Sequence, residues 1–231
     1  MKLGIIGGMG PMATVYFMEL LVNMTQASCD SEHLEMVVYN IPSIPDRTKY
    51  ILGKSDESPL PKMLEVIEQM KQQNVDYVAI PCMTAHYFYD ALSEAGLPIV
   101  HGLRETALEL KRMGVTKAGL MATDGTISSG LFQQILEEQG IEIVIPDAEH
   151  QAKIMSIIYD DIKAGIMPPY HKVKEIKKYF LNTEGAQAII LGCTELSLLK
   201  REYELGTGVI DTLDVLAKKS LQLCGKEIKG D

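Results

Sequence analysis

Two of the chain's four cysteines stand in matching surroundings. Cys82 follows the apolar run 77–80 and precedes Met83 and Thr84, while Cys193 follows Ala188–Leu191 and precedes Thr194 and Glu195. A cysteine can give or take a proton, because its ordinary pKa lies close enough to neutrality to be tuned by its surroundings. Buried thiols also serve simply as small apolar side chains, and two thiols can pair as a disulfide. Cys29 lies in a polar turn before His33 and Cys224 in the last helical stretch, and both are read as non-catalytic. No C-x-x-C pair occurs, so zinc and thioredoxin-type chemistry lack their usual signature and no metal is expected.

Other residues carry weaker signals. The run Gly7-Gly8-Met9-Gly10-Pro11 offers a G-x-G, but Thr14 stands where a dinucleotide loop needs its third glycine, so a tight turn against a small substrate is the better reading. Arg47 lies in a loop with Pro42, Pro45 and Tyr50. A lone loop arginine is usually solvated, although loops carry many binding residues. Lys163 closes a helical pattern before Gly165, which helix electrostatics alone would explain. His86, three residues after Met83, suits packing or capping as well as a contact to a cysteine. Glu195 either tunes Cys193 or serves as a first-turn acid.

The elements that position these residues are legible from periodicity. Short apolar runs at 3–6, 36–40, 77–80, 99–100, 118–121, 142–145, 188–191 and 209–210 read as strands. Helical spacing is clear over 63–73, 129–139 and 151–164, with Met63, Val66, Ile67 and Met70 on one face of the first. The alternation predicts a parallel α/β fold. The order also repeats. Gly4-Ile5-Ile6-Gly7 has a counterpart in Gly119-Leu120-Met121-Ala122, Cys82 follows Gly4 by 78 positions, and Cys193 follows Gly119 by 74. The chain therefore divides into a first half, 1–98, with 210–231 packing on it, and a second half, 99–209. Each half ends a strand with a cysteine-bearing turn, where open α/β sheets bind their ligands. A helix starting after each cysteine would aim its N–H groups there, favouring a thiolate and a bound carboxylate.

Bulk properties narrow the function. A net charge of −9 argues against a phosphate-binding surface and so against nucleic acid, yet a local cation can still hold a small acid. No apolar run approaches the roughly 20 residues of a membrane span, and the opening strand breaks too early, at Gly7-Gly8, for a signal peptide. A cytoplasmic protein with free thiols is expected.

The chain resembles the aspartate/glutamate racemase family, and most closely its aspartate racemases. The likeness rests on Gly7 to Pro11, Ile44-Pro45-Asp46-Arg47-Thr48, Pro81-Cys82-Met83-Thr84-Ala85-His86, Ala122-Thr123-Asp124-Gly125-Thr126, Ile162-Lys163-Ala164-Gly165 and Gly192-Cys193-Thr194-Glu195, in that order over nearly the whole length. The resemblance implies two similar parallel-sheet α/β halves with the active site between them. It implies Cys82 and Cys193 as catalytic bases and a substrate site including Met9, Arg47, Met83, Thr84, Thr123, Lys163 and Thr194, with Arg47 and Lys163 for the carboxylates. Met83 departs from the family, which usually has asparagine there.

The implied reaction interconverts L- and D-aspartate, with glutamate second, and uses no cofactor. Removing the α-hydrogen from one face and returning a proton to the other needs two bases, which a thiolate and a thiol supply. Without a cofactor, hydrogen-bond donors and a cation must hold the charge that develops. A homodimer is expected by base rate and by family. Two rival readings remain: a diacid isomerase or decarboxylase on the same scaffold, and a non-catalytic amino-acid or dicarboxylate binding protein, which would need neither thiol.

Overall fold

The protein is described by a computed structural model covering residues 1–230. Two compact units divide the chain, Met1–Gly102 together with the segment from Leu213 onward, and Leu103–Thr212.

In the first unit, β1 (Lys2–Gly7) leads through α1 (Pro11–Met24) to β2 (Glu35–Asn40). Next come α2 (Arg47–Ile51), α3 (Leu60–Gln72), β3 (Tyr77–Ala79) and α4 (Tyr89–Ser93). The sheet order is β2-β1-β3, all parallel, with Gly7 opposite Asn40 and Leu3 opposite Tyr77. The apolar stripe of α3 closes one face: Met63, Val66, Ile67 and Met70 are all buried. Burial of such a stripe, at about 1.5–3 kcal/mol per large side chain, is the main force holding helix to sheet.

In the second unit, α5 (Gly102–Arg112) feeds β4 (Lys117–Met121), followed by α6 (Asp124–Ser128), α7 (Leu131–Glu138), β5 (Glu142–Val144), α8 (Ala148–Ser156), α9 (Tyr170–Lys178), β6 (Ala188–Leu191) and β7 (Val209–Asp211). The closing helix α10 (Thr212–Leu223) returns to the first unit. The order is β5-β4-β6-β7, again parallel throughout. Every residue of β6 is buried, as a strand covered on both faces requires. No helix among the described residues is long and apolar enough to cross a membrane.

The halves share one plan, since β2-β1-β3 corresponds to β5-β4-β6. Even the fourth strand has a vestige in the first unit, where Ile99 forms a single parallel bridge to Val78 beside β3. The strand expected at 99–100 is reduced to this bridge. Val78 donates to Pro98 O and Val100 donates to Val78 O, both at 2.8 Å, and α5 starts two residues later, so no ladder grows.

The helix expected over 151–164 is a composite. After α8 the backbone widens into a π turn (Ile157–Asp161), tightens into a 3₁₀ turn (Ile162–Ala164), and stops at Gly165 with φ 79°. A left-handed glycine ends helices at no steric cost. Lys163 sits in that last tight turn.

Candidate active site

The turn after β1 is closed by its own side chains. Gly8 has φ 93° and lies against the backbone of Ile41, so no Cβ fits there. The Thr14 hydroxyl accepts from Gly8 N at 2.9 Å and donates to Gly10 O at 3.0 Å. The position a dinucleotide loop would keep open is thus filled by a hydroxyl that spans the turn. Met9 is buried there, and its carbonyl accepts from Arg47 Nη2 at 3.2 Å. Nη1 of Arg47 donates to Ile44 O at 3.3 Å and Pro45 O at 3.0 Å. The guanidinium, 9% exposed, therefore ties the loop after β2 to the turn after β1. Asp46 caps α2 by accepting from Lys49 N at 2.8 Å, which fixes where Arg47 begins.

Cys82 lies three residues beyond β3 and is 5% exposed. It belongs to a buried apolar cluster that also holds Met9, Ile44, Ile80, Ala85 and Phe88. Thr84 and Ala85 follow it in a 3₁₀ turn (Met83–Phe88). His86 in that turn has both ring nitrogens engaged. Gly102 N donates to Nε2 at 3.0 Å, and Nδ1 lies 3.1 Å from Cys82 O. An acceptor at Nε2 leaves the proton on Nδ1, so His86 is a neutral strut beneath Cys82. Burial holds its pKa below the usual imidazole range. Met83 is only 1% exposed, and its sulfur and methyl group pack at Gly102 next to the His86 ring.

Cys193 occupies the matching place in the second unit. Gly192 N donates to Met121 O at 2.8 Å, which ties the turn after β6 to the end of β4. Cys193 is also 5% exposed. Its thiol donates to Glu195 Oε2 at 3.0 Å, while Glu195 Oε1 takes Lys163 Nζ at 2.6 Å. Lys163 Nζ also lies 5.4 Å from the centre of the Tyr159 ring. Thr194, beside Cys193, is buried. Thr123 caps α6 from the end of β4, with its hydroxyl 3.1 Å from that of Thr126.

The α-helix expected to aim its N–H groups at Cys193 does not form. A six-residue 3₁₀ turn (Leu196–Arg201) follows it instead, and a backbone bond from Glu195 still favours the thiolate. Burial pushes the Cys193 thiol well above its ordinary value, the Glu195 carboxylate adds to this, and Lys163 opposes it. The turn after Cys82 is likewise 3₁₀.

The structure thus gathers Met9, Arg47, Cys82, Met83 and His86 in one unit, and Lys163, Cys193, Thr194 and Glu195 in the other. Two supports escaped sequence reasoning. Asp211 at the end of β7 accepts from Ser197 at 2.6 Å and pairs with Lys200 at 3.2 Å, bracing the turn after Cys193. Gln151 spans Ala122 O and Asp124 Oδ1, at 3.1 and 2.7 Å, and fixes the turn carrying Thr123. An acid directly after a short apolar run was the readable signal for Asp211; nothing in the sequence marked Gln151.

Known proteins resolve the family. The model of the family described as Asp/Glu/Hydantoin racemase matches residues 6–219. The chain belongs to that family. An aspartate racemase structure from Picrophilus torridus is 31% identical, with a TM-score of 0.80, over 99% of this chain and 96% of that one. A broad specificity amino-acid racemase, RacX, from Bacillus subtilis (strain 168) is 27% identical over 95% of this chain and 96% of its own length. A putative Asp/Glu racemase from Yersinia pestis shares the fold, with a TM-score of 0.80 at 24% identity, over 96% of this chain and 98% of that one. Membership makes this racemase an isomerase of the amino-acid type.

Proposed function

We propose that this racemase interconverts L- and D-aspartate, with glutamate as a second substrate, by two-base proton transfer at the α-carbon and without a cofactor. The observation that carries this reading is the equivalence of Cys82 and Cys193. Each follows the corresponding strand of its half, β3 or β6, and each lies buried at the strand's carboxyl end. One sulfur, as thiolate, takes the α-hydrogen from one face, and the other, as thiol, returns a proton to the opposite face. The reverse reaction exchanges the roles. Arg47 and Lys163 are the cations for the two carboxylates, and Thr84, Thr123 and Thr194, with main-chain N–H groups, hold the charge that develops on the α-carboxylate. The resemblance to the Picrophilus torridus aspartate racemase supports the choice of substrate.

Buried Met83 and the likeness to RacX support a wider range as a second reading, in which neutral amino acids also turn over. Proton NMR in heavy water tests both readings. Loss of the α-proton signal from either enantiomer of aspartate, with the other enantiomer appearing on chiral chromatography of the same sample, is expected, with glutamate slower and alanine slowest. Exchange of a neutral amino acid faster than aspartate overturns the substrate assignment, and no exchange with any amino acid overturns the reaction. We also read the protein as a cytoplasmic homodimer. The four cysteines are free thiols, which suits a reducing compartment, and sedimentation tests the dimer.

A further inference from the structure

The two halves put different chemistry beside their cysteines. Two residues on from Cys82 stands Thr84, and two residues on from Cys193 stands Glu195. Glu195 is 5% exposed and is held at both oxygens, one by the Cys193 thiol at 3.0 Å and the other by Lys163 at 2.6 Å. A carboxylate held at both oxygens is oriented toward the thiol, and charge-assisted bonds of this kind are short and directional. It accepts the thiol's hydrogen, and its negative charge opposes a second negative charge on the adjacent sulfur. Lys163 works the other way, because its ammonium offsets the carboxylate. Among the described residues, the charges that act on Cys193 include these two, one on its own turn and one at the end of the helix running on from α8. Asp211, from β7, is engaged by Ser197 and Lys200 behind the same turn.

We propose that Glu195 is a positioning residue that keeps Cys193 as a thiol and makes it the proton donor of the resting enzyme, with Lys163 as the counterweight that lets the proton leave. The inference rests on the two-cysteine reading and deepens it, because the two bases are then not interchangeable. In the first turnover Cys82, as thiolate, breaks the Cα–H bond and forms S–H. The S–H bond of Cys193 breaks and its proton forms the new Cα–H bond on the opposite face. The sulfurs have exchanged states, and charge is conserved. The enantiomer whose α-hydrogen faces Cys82 meets a ready enzyme, whereas the other must wait for Cys193 to ionise. The enantiomers have equal free energies, so kcat/KM stays equal in the two directions, and the inequality falls on kcat and KM separately.

Thiol alkylation tests this without turnover. The whole chain is treated with iodoacetamide from pH 6 to 10, and Cys193 modification is followed by peptide mass mapping. Native Cys193 is expected to react with a midpoint above that of an ordinary cysteine, or not at all up to pH 10. Glu195→Gln should move the midpoint down by about one unit, so that Cys193 alkylates roughly tenfold faster at pH 8. Lys163→Met should move it up, or leave Cys193 unreactive, and Glu195→Asp, which keeps the charge, should stay near native. Circular dichroism confirms that each variant is folded. An ordinary midpoint in the native chain, no acceleration in folded Glu195→Gln, or shifts of one sign in both Glu195→Gln and Lys163→Met overturns the proposal. Because alkylation requires no racemisation, a chain that shows these shifts but exchanges no α-proton fails the racemase reading, and the donor role with it, while the hold of Glu195 and Lys163 on Cys193 stands.

Discussion

His86 links the carbonyl of Cys82, 3.1 Å from Nδ1, to the amide of Gly102, which donates to Nε2 at 3.0 Å. Protonating Nε2 would set two donors against each other in a buried site. Burial already holds the pKa of His86 below its unfolded value, so the neutral form contributes stability above the ordinary imidazole range of about 6.5. That contribution is lost as pH falls through the depressed folded value. Thermal unfolding followed from pH 7.5 to 5 should show a decline in the native chain that is shallower in His86→Gln. The variant should start lower at pH 7.5, by about 1–3 kcal/mol for the disturbed buried bonds. Equal declines in both chains would assign the acid sensitivity elsewhere.

Serine in place of either Cys82 or Cys193 should abolish racemisation while leaving the far-UV spectrum unchanged. A hydroxyl fits the space of a thiol but ionises far less readily. One of the two variants should still wash deuterium into a single enantiomer, because one base works without its partner. Near-native racemisation by either variant would remove that cysteine from the mechanism. Serine at Cys29, which is exposed, should change nothing.

Arg47→Ala should have two effects. Three main-chain carbonyls lose their donor, so stability falls by about 2 kcal/mol and every substrate suffers. If the guanidinium also reads a carboxylate, kcat/KM should fall at least tenfold further for aspartate than for alanine. Measured kinetics with both substrates separate the two, and an unchanged aspartate-to-alanine ratio would leave Arg47 as a strut only.

Met83→Asn, which restores the residue usual in the family, would be expected from composition to add a polar contact for the substrate. The packing of Met83 against Gly102 leads to a different expectation. The shorter amide leaves a void and must find partners where the thioether needed none, so the variant should lose about 2 kcal/mol of stability and gain no activity. Denaturant unfolding and aspartate kinetics check this. A tenfold gain in kcat/KM would show that position 83 faces the substrate.

The sequence by itself was enough for the parallel α/β class, all seven strands of the two sheets among the described residues to within a residue of either end, the face of α3, and the likeness of the turns that carry Cys82 and Cys193. These follow from period and order along the chain, because a strand buried on both faces must be apolar throughout and a helix stripe must recur every three to four residues. β1 runs one residue further at each end than the apolar run that announced it. Only the tertiary structure decided what each site residue touches. Lys163 and Glu195 stand 32 positions apart and Met9 and Arg47 stand 38 apart, and no local period encodes those meetings. The turns after the cysteines looked like helix starts, yet they fold as 3₁₀ turns, and around Cys82 the packing of Met83 and His86 at Gly102 accompanies that geometry. That burial and a neighbouring carboxylate push the Cys193 thiol upward was likewise decided by three-dimensional contacts, since a charge acts across space on whatever the fold sets beside it.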